Sequence, residues 1–302
     1  MMKKKIIFLI NPISGTRGKN ALAPIIEEQA RARGIDFEIL PTVASGDYRF
    51  LEAKIKEEDI GSIGICGGDG SVNQVVESLA HTGISFGIIP MGSGNGLAFS
   101  AGIPKDSAKA IDIVFDGEAK PVDAFLINKQ FACMLCGLGF DASVAHDFAK
   151  QPKRGLGTYA SLTTQKFIGA KVYPFIITLK DLKFSVEAYF ISIANSNQFG
   201  NHVTIAPQAK LSDGLLDIVI VKKMAKPFLL FSILRQIFSG RLRLPENSLN
   251  APIVYFQTSE LQIANPQDAP MHIDGEPRES IPNLKIKILP GYFNLIHSKQ
   301  VK

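Results

Sequence analysis

Three glycine-containing loops carry residues able to close a backbone around an anion. Gly67-Gly68-Asp69-Gly70 follows the apolar run 62–66 and precedes a helical pattern. Glycine lets the chain approach a phosphate closely, and a following helix presents its first N–H groups. An acidic side chain there repels the anion unless a cation intervenes, so Asp69 reads as a carboxylate linked to Mg²⁺. A tight strand-to-helix turn explains the same four residues without a ligand. The second loop, 90–96, has Gly92, Gly94 and Gly96 with the Ser93 hydroxyl and the Asn95 amide, donors for a phosphate or a ribose. The third, Asn11-Pro12-Ile13-Ser14-Gly15, offers similar groups after the first apolar run. No Walker A pattern occurs, and the second loop matches a dinucleotide fingerprint only in part.

The elements around these loops alternate. Runs at 5–10, 36–40, 62–66 and 85–90 read as strands, and 20–33, 48–56 and 72–80 read as helices. That order predicts a parallel, doubly wound α/β nucleotide-binding domain with helices on both faces, spanning 1–120. Ligands of such sheets lie beyond the carboxyl ends of the strands, where all three loops fall. From 121 to 302 strand-like segments dominate: 122–127, 175–179, 185–194, 216–221, 253–256 and 284–289, with helices at 142–149, 157–168 and 227–239. This predicts a β-sandwich-like, mainly antiparallel domain, whose last segment is allowed to return to the first. The cleft between the domains is the expected active site.

Composition is that of a globular chain: 302 residues, nearly half apolar, a fifth charged. The start of the sequence, three lysines and a short apolar run, reads as a buried strand and not as a signal peptide. No apolar stretch reaches about 18 residues, so no transmembrane helix is expected. Cys133 and Cys136 form a lone CxxC that reads as two buried thiols, because no second ligand pair accompanies it. The net charge of +5 suits anionic partners without choosing among them. The basic-apolar stretch 222–243 fits either a helix lying in a membrane interface or one packed on the β domain with solvated flanks.

Further motifs follow the loops in order: Thr42, Ser71-Val72-Asn73, Asp123, Gly137-Leu138-Gly139-Phe140-Asp141, the stretch 154–159, Lys210-Leu211-Ser212-Asp213-Gly214-Leu215-Leu216-Asp217, and His272-Ile273-Asp274-Gly275-Glu276-Pro277. Together they resemble the diacylglycerol kinase catalytic-domain family, which includes sphingosine and ceramide kinases. The resemblance covers nearly the whole chain and implies an ATP-dependent lipid kinase. It places Asn11, Ser14, Gly15, Thr42, Gly67, Gly68, Asp69, Gly70, Ser71, Asn73, Ser93 and Asn95 along the nucleotide. It gives Asp69 to the catalytic Mg²⁺ network and Asp123 as a second carboxylate. It makes the 274–276 segment the catalytic-base element, with Glu276 as base and Asp274 orienting it or bridging to Mg²⁺; the reverse assignment stays open. Asp213 with the Leu215 carbonyl resembles a structural-metal loop of bacterial members, and a plain Asp-Gly turn fits equally.

One departure stands out. Diacylglycerol-type members read Gly-Thr-x-Asn-Asp in the loop at 90–96, and this chain reads Gly92-Ser93-Gly94-Asn95-Gly96. The missing Asp points towards a sphingoid or ceramide-type acceptor or an altered Mg²⁺ network. The expected partners are ATP and a lipid at the membrane surface, with no nucleic acid; a homodimer is left open. The expected location is cytoplasmic, peripheral at the inner membrane surface. Two other readings compete: a kinase for a soluble acceptor such as NAD, and a non-catalytic relative that binds nucleotide or lipid. Against the first, no Asn-Glu pair follows the Gly-Gly-Asp-Gly loop.

Overall fold

The computed structural model describes residues 4–11, 19–151, 156–200, 203–224 and 251–299. The chain forms two compact units, Met1–Val122 with Gly291–Lys302, and Asp123–Pro290.

In the first unit β1 (Lys5–Ile10), β2 (Phe37–Pro41), β3 (Ile60–Gly67) and β4 (Ser85–Pro90) form a parallel sheet. Its spatial order is β2-β1-β3-β4, and the last strand of the chain adds in parallel to β4 through Asn294 and Leu295. The strands are apolar runs because both faces are covered: Ile7, Phe8, Leu9, Ile63 and Ile65 are fully buried. Covering helices are α1 (Lys19–Arg33), α2 (Glu52–Glu57), α3 (Asp69–Leu79), α4 (Gly96–Ser100) and α5 (Ser107–Asp116). α1 buries Leu22, Ile26 and Ala30, one stripe at a spacing of four. Arg33 ties α1 to α5 through Asp112 at 2.7 Å and Asp116 at 2.6 Å. From β1 the chain crosses to β2 on one side, then passes over β1 to β3 on the other. The carboxyl ends of β1 and β3 therefore make the topological switch point.

α3 begins at Asp69, not at 72 as the apolar spacing suggests. Gly68 is extended, and the Val72 N–H reaches the Gly68 carbonyl at 3.1 Å, closing a first turn whose side chains are polar or absent. α5 has no counterpart among the sequence expectations. It starts from Asp106, which accepts from the Lys109 N–H at 2.9 Å.

The second unit is mainly antiparallel. Its strands are β5 (Glu118–Ile127), β6 (Gln130–Ala132), β7 (Leu135–Gly139), β8 (Tyr173–Thr178), β9 (Lys183–Ala194), β10 (Gln198–Gly200), β11 (Val203–Thr204), β12 (Leu216–Lys222), β13 (Ile253–Thr258), β14 (Glu260–Ala264), β15 (Met271–Ile273), β16 (Glu276–Arg278) and β17 (Asn283–His297). β5 and β17 each begin or end in the other unit. The main order is β16-β15-β7-β9-β8-β14-β17, and β9 also pairs with β12, which pairs with β13. One apolar core, including Phe125, Phe175, Ile191, Ile218, Ile263 and Met271, fills this unit. α6 (Phe140–Ala149) and α7 (Leu156–Ile168) pack together through Phe140 and Phe167 edge to face. Three-residue strands such as β6, β15 and β16 show no alternation in the sequence and were not among its expected strands.

A charged side chain lies inside this core. Asp217 of β12 is wholly buried, and Gln257 Nε2 donates to its Oδ1 at 3.2 Å. Burial pushes its carboxyl up from the ordinary 3.8 to about 7. The folded chain thus holds a proton that the unfolded chain releases. Stability from this group is full below pH about 4 and is lost as pH rises to about 7. Asp217→Asn keeps the size and an acceptor for Gln257 while removing the charge. It is expected to raise the melting temperature by a few degrees at pH 8, with the gain gone at pH 4. An equal or lower melting temperature at pH 8 would show that Asp217 carries no such penalty.

Candidate functional site

At the switch point the loops are bonded to one another. The Asn11 N–H donates to the Cys66 carbonyl at 3.0 Å, and Asn11 Nδ2 donates to Ser71 Oγ at 2.9 Å. The Met91 N–H donates to the Gly67 carbonyl at 2.9 Å. The loops after β3 and β4 meet backbone to backbone at two glycines. A Cβ on Gly92 would lie 2.6 Å from Gly68 Cα, and one on Gly68 would lie 3.0 Å from Gly92 Cα. Gly67 has no room either, since a Cβ would meet Ser71 Cβ at 2.7 Å. Asn95 turns back on its own loop, accepting from the Gly92 N–H at 2.8 Å and donating to the Gly92 carbonyl at 2.7 Å. It is buried with φ +58°, a left-handed position that Asn tolerates better than most residues. Its amide thus shapes the loop, while Ser93 is half-buried one turn away.

No side chain caps α3, so its first turn presents N–H groups with Asp69 among them. Asn73, on the same helix, is buried. Thr42 follows β2, its N–H on the Ile10 carbonyl at 3.0 Å. It is oriented by a residue that sequence reasoning missed. Tyr48 is fully buried, exchanges a hydrogen bond with the Thr42 side chain and accepts from the Val43 N–H at 3.3 Å. The sequence signal was a tyrosine at the head of the 48–56 helical pattern, and nothing local marked it as buried.

Gly92→Ala forces a Cβ into the Gly68 backbone, a contact that no side-chain rotation relieves. Strain of about 1–3 kcal/mol is usual for such overpacking. The two loops must part, and on the nucleotide site that the resemblance implies here the KM for ATP is expected to rise about tenfold or more for that strain. Steady-state kinetics at varied ATP will check it, and an unchanged KM would remove this contact from nucleotide binding.

In the second unit the candidate carboxylates differ sharply. Asp274 is 4% exposed and sits in the turn between β15 and β16 with φ +50°. Its Oδ1 accepts from the N–H groups of Met134 and Leu135, and its Oδ2 from the N–H of Cys133, each at 2.9 Å. Glu276 is the first residue of β16 and is exposed. The two therefore do not share a strand face, although only one residue separates them. Asp123 is buried on β5, with the Gly214 N–H on its Oδ2 at 2.7 Å and its own N–H on the Leu211 carbonyl at 2.7 Å. It fastens the 211–214 loop. Asp213 is exposed and accepts from the Leu215 N–H at 3.1 Å, the geometry of an Asp-Gly turn.

A second residue missed by sequence reasoning joins these carboxylates. Asn195 is wholly buried after β9. Its Nδ2 donates to the Asp123 carbonyl at 2.7 Å and the Cys133 carbonyl at 3.1 Å. The backbone segment it grips is the one whose N–H groups hold Asp274. The available signal was the polar run Asn195-Ser196-Asn197 closing an apolar strand. Cys133 and Cys136 are buried free thiols, and burial pushes Cys136 well up. Among the described residues no three His, Cys, Asp or Glu side chains gather as a metal site, and no helix is long and apolar enough to cross a membrane. Ser14, Gly15, residues 152–155, His202 and most of the 222–243 stretch lie outside the described residues.

The fold and the glycine loops define a class, and comparison with known proteins agrees with it. Residues 5–127 match the diacylglycerol kinase catalytic domain. Residues 135–297 match the YegS C-terminal NAD kinase beta sandwich-like domain. The chain belongs to the bacterial family of diacylglycerol and YegS-like lipid kinases that carries this pair of domains. It is 26% identical over 283 residues to a probable lipid kinase YegS-like of Chromohalobacter salexigens, covering 91% of this chain and 89% of the relative. It is 28% identical over 285 residues to the diacylglycerol kinase of Bacillus subtilis, covering 91% and 90%. A crystal structure of a diacylglycerol kinase from Bacillus anthracis superposes with a TM-score of 0.75 over 99% of this chain and 98% of that one. At 22% identity that likeness concerns the fold. Membership brings ATP-dependent lipid-kinase activity at the level of the family.

Proposed function

We propose that this chain transfers the γ-phosphate of ATP to the hydroxyl of a membrane lipid, a diacylglycerol or a sphingoid or ceramide-type lipid. The observation that carries the reading is the glycine contact between the loops after β3 and β4, beside the uncapped start of α3. A Cβ at either glycine would run into the backbone of the other, so only glycines let the two loops close together beside the free N–H groups that open α3, an arrangement that fits a nucleotide triphosphate. Gly67, Gly68, Gly70, Ser71, Asn73 and Ser93 are its proposed lining, with Asn11 and Thr42 at the flanking strand ends. Asn95 contributes by holding the Gly92 turn.

Asp69 is the proposed Mg²⁺ carboxylate. Few protein ligands suffice, because Mg²⁺ ordinarily keeps phosphate oxygens and waters as its other ligands. When bound, the ion neutralises charge on the transferring phosphoryl group. Asp123 is proposed as a second carboxylate of the Mg²⁺ network. Asp213 with the Leu215 carbonyl is carried forward as a separate structural cation position. Glu276 is proposed to accept the proton of the attacking hydroxyl, supported by its exposure next to a turn that Asp274 holds rigid. Asp274 supports that reading because three N–H donors occupy its oxygens, leaving little acceptor capacity for a substrate hydroxyl.

The acceptor is tested by incubating the protein with ATP and mixed micelles carrying diacylglycerol, sphingosine or ceramide, with NAD as a parallel soluble acceptor. Phosphorylation of a lipid supports the reading; phosphorylation of NAD alone would move it to a soluble-acceptor kinase. The Gly92–Gly96 form of the loop after β4 favours the sphingoid arm. The lipid is reached from a peripheral position at the inner membrane surface. The positive net charge, +5, and the basic stretch 222–243 predict stronger sedimentation with anionic than with neutral vesicles. Raising salt should weaken it, and equal partitioning at low and high salt would exclude electrostatic docking.

A further inference from the structure

Behind the turn that presents Glu276 lies a buried acid–histidine pair for which the proposed reaction has no use so far. His272 of β15 is 1% exposed, and its Nε2 stands 3.5 Å from Asp141 Oδ2 at the start of α6. Its other nitrogen, Nδ1, accepts from the Gly275 N–H at 3.3 Å. Asp141 Oδ1 is fixed in turn by the Ala142 N–H at 2.8 Å. The space for this pair comes from the strand that leads into α6. Gly137 of β7 lies opposite His272 in the sheet register. A Cβ there would come within 2.2 Å of Asp141 Oδ2 and 2.3 Å of His272 Nε2. Two distant segments thus meet at one contact: the continuous β7–α6 stretch supplies the glycine and the acid, and β15 supplies the histidine.

The turn itself is short. Asp274 and Gly275 have φ of +50° and +81°, the signs of a two-residue hairpin turn of type I′ between Ile273 and Glu276. β15 and β16 have three residues each; Asp274 anchors its side of the turn on the N–H groups of Cys133, Met134 and Leu135, and the Gly275 side rests on His272. Accepting the Gly275 N–H requires a lone pair at Nδ1, which puts the neutral ring's proton on Nε2, facing Asp141. Asp141 Oδ2, 3.5 Å away, is the charge this Nε2–H faces, while Nδ1 accepts from the turn. Apolar side chains of similar volume would pack this interior as stably as a desolvated acid–histidine pair. Stability alone gives no reason for the pair at this place.

We infer that Asp141 and His272 are positioning residues for Glu276, fixing the 274–275 turn from which the proposed base projects. The inference rests on the reading of Glu276 as base. Neither side chain touches the reacting atoms in this account; their effect passes through the Gly275 backbone.

The test compares His272→Phe, which keeps the ring's bulk but no acceptor, with His272→Asn, whose Oδ1 can replace Nδ1. Glu276→Gln is measured in parallel. Hydrogen exchange at the Gly275 amide is read alongside steady-state kinetics with ATP and the lipid accepted in the micelle panel. His272→Phe is expected to speed Gly275 exchange and to lower kcat about 10- to 100-fold with little change in the KM for ATP, the signature of a misplaced catalytic group. His272→Asn should restore most of both, which a purely packing role would not allow. Gly137→Ala should behave as His272→Phe does. Unchanged Gly275 exchange in His272→Phe overturns the proposal, and so does wild-type kcat in His272→Phe while Glu276→Gln is slow. A slow His272→Phe beside a Glu276→Gln of wild-type turnover would instead remove Glu276 as the base, leaving the held turn in place.

Discussion

Asp69→Ala is expected to abolish phosphoryl transfer in a protein that still folds. Asp69 is the first residue of α3, in a half-exposed position within the glycine loop. The structural alternative is that its charge only favours the helix N-terminus, an effect of about 0.3–1 kcal/mol. Losing that much would shift the melting temperature by a few degrees and leave turnover near normal. Losing the carboxylate that links Mg²⁺ to the phosphates would instead lower turnover about 1,000-fold or more, because phosphoryl transfer depends on charge neutralisation. Asp69→Asn separates the two readings further, since it keeps the shape and a side-chain acceptor at the helix start. Both variants are expected to be inactive. Near-wild-type turnover by folded Asp69→Ala at limiting Mg²⁺ would end the metal role.

Glu276→Gln keeps size and hydrogen bonding but cannot take up a proton. If Glu276 is the base, kcat falls about 10²–10⁴-fold, the usual loss when general-base help is removed. The KM for ATP should change little, because the lost interaction belongs to the transition state. Glu276 is exposed, so the melting temperature should also hold. Asp274→Asn is the companion variant and should behave differently. Its amide would turn a donor towards the N–H groups of Cys133, Met134 or Leu135, so the protein should melt lower as well as turn over more slowly. A large kcat loss at Asp274 without destabilisation, beside a small one at Glu276, would make Asp274 the base.

The sequence made the architecture legible where information is local. Apolar runs ending in glycines mark buried parallel strands and their loops, and the change to alternating segments after about residue 120 marks the β-rich part. Local boundaries were less legible. The start of α3 is set by backbone at Gly68 and not by any apolar residue, and β15 and β16 are too short to show a period. The contacts that shape the candidate site were the least legible, because sheet register creates them. Gly68 meets Gly92, Asn195 joins Asp123 to the segment holding Asp274, and Gly137 makes room for Asp141 beside His272. Gly68 and Gly92, and Asn195 and its two partners, lie more than twenty residues apart, and His272 reaches the neighbouring Gly137 and Asp141 only through sheet register, so residue spacing carries no trace of these contacts. The pattern did mark Asp274 and Glu276 together, but only the turn geometry gives one a structural hold and leaves the other exposed.

The most direct measurement follows the label from ATP carrying ³²P at the γ position, in the presence of Mg²⁺ and lipid mixed micelles. The account predicts that label enters an organic-extractable phospholipid product with wild-type protein and that none does with Asp69→Ala. Label that stays wholly in the aqueous phase across the diacylglycerol, sphingosine and ceramide micelles, or that appears in phosphorylated NAD instead, would contradict it.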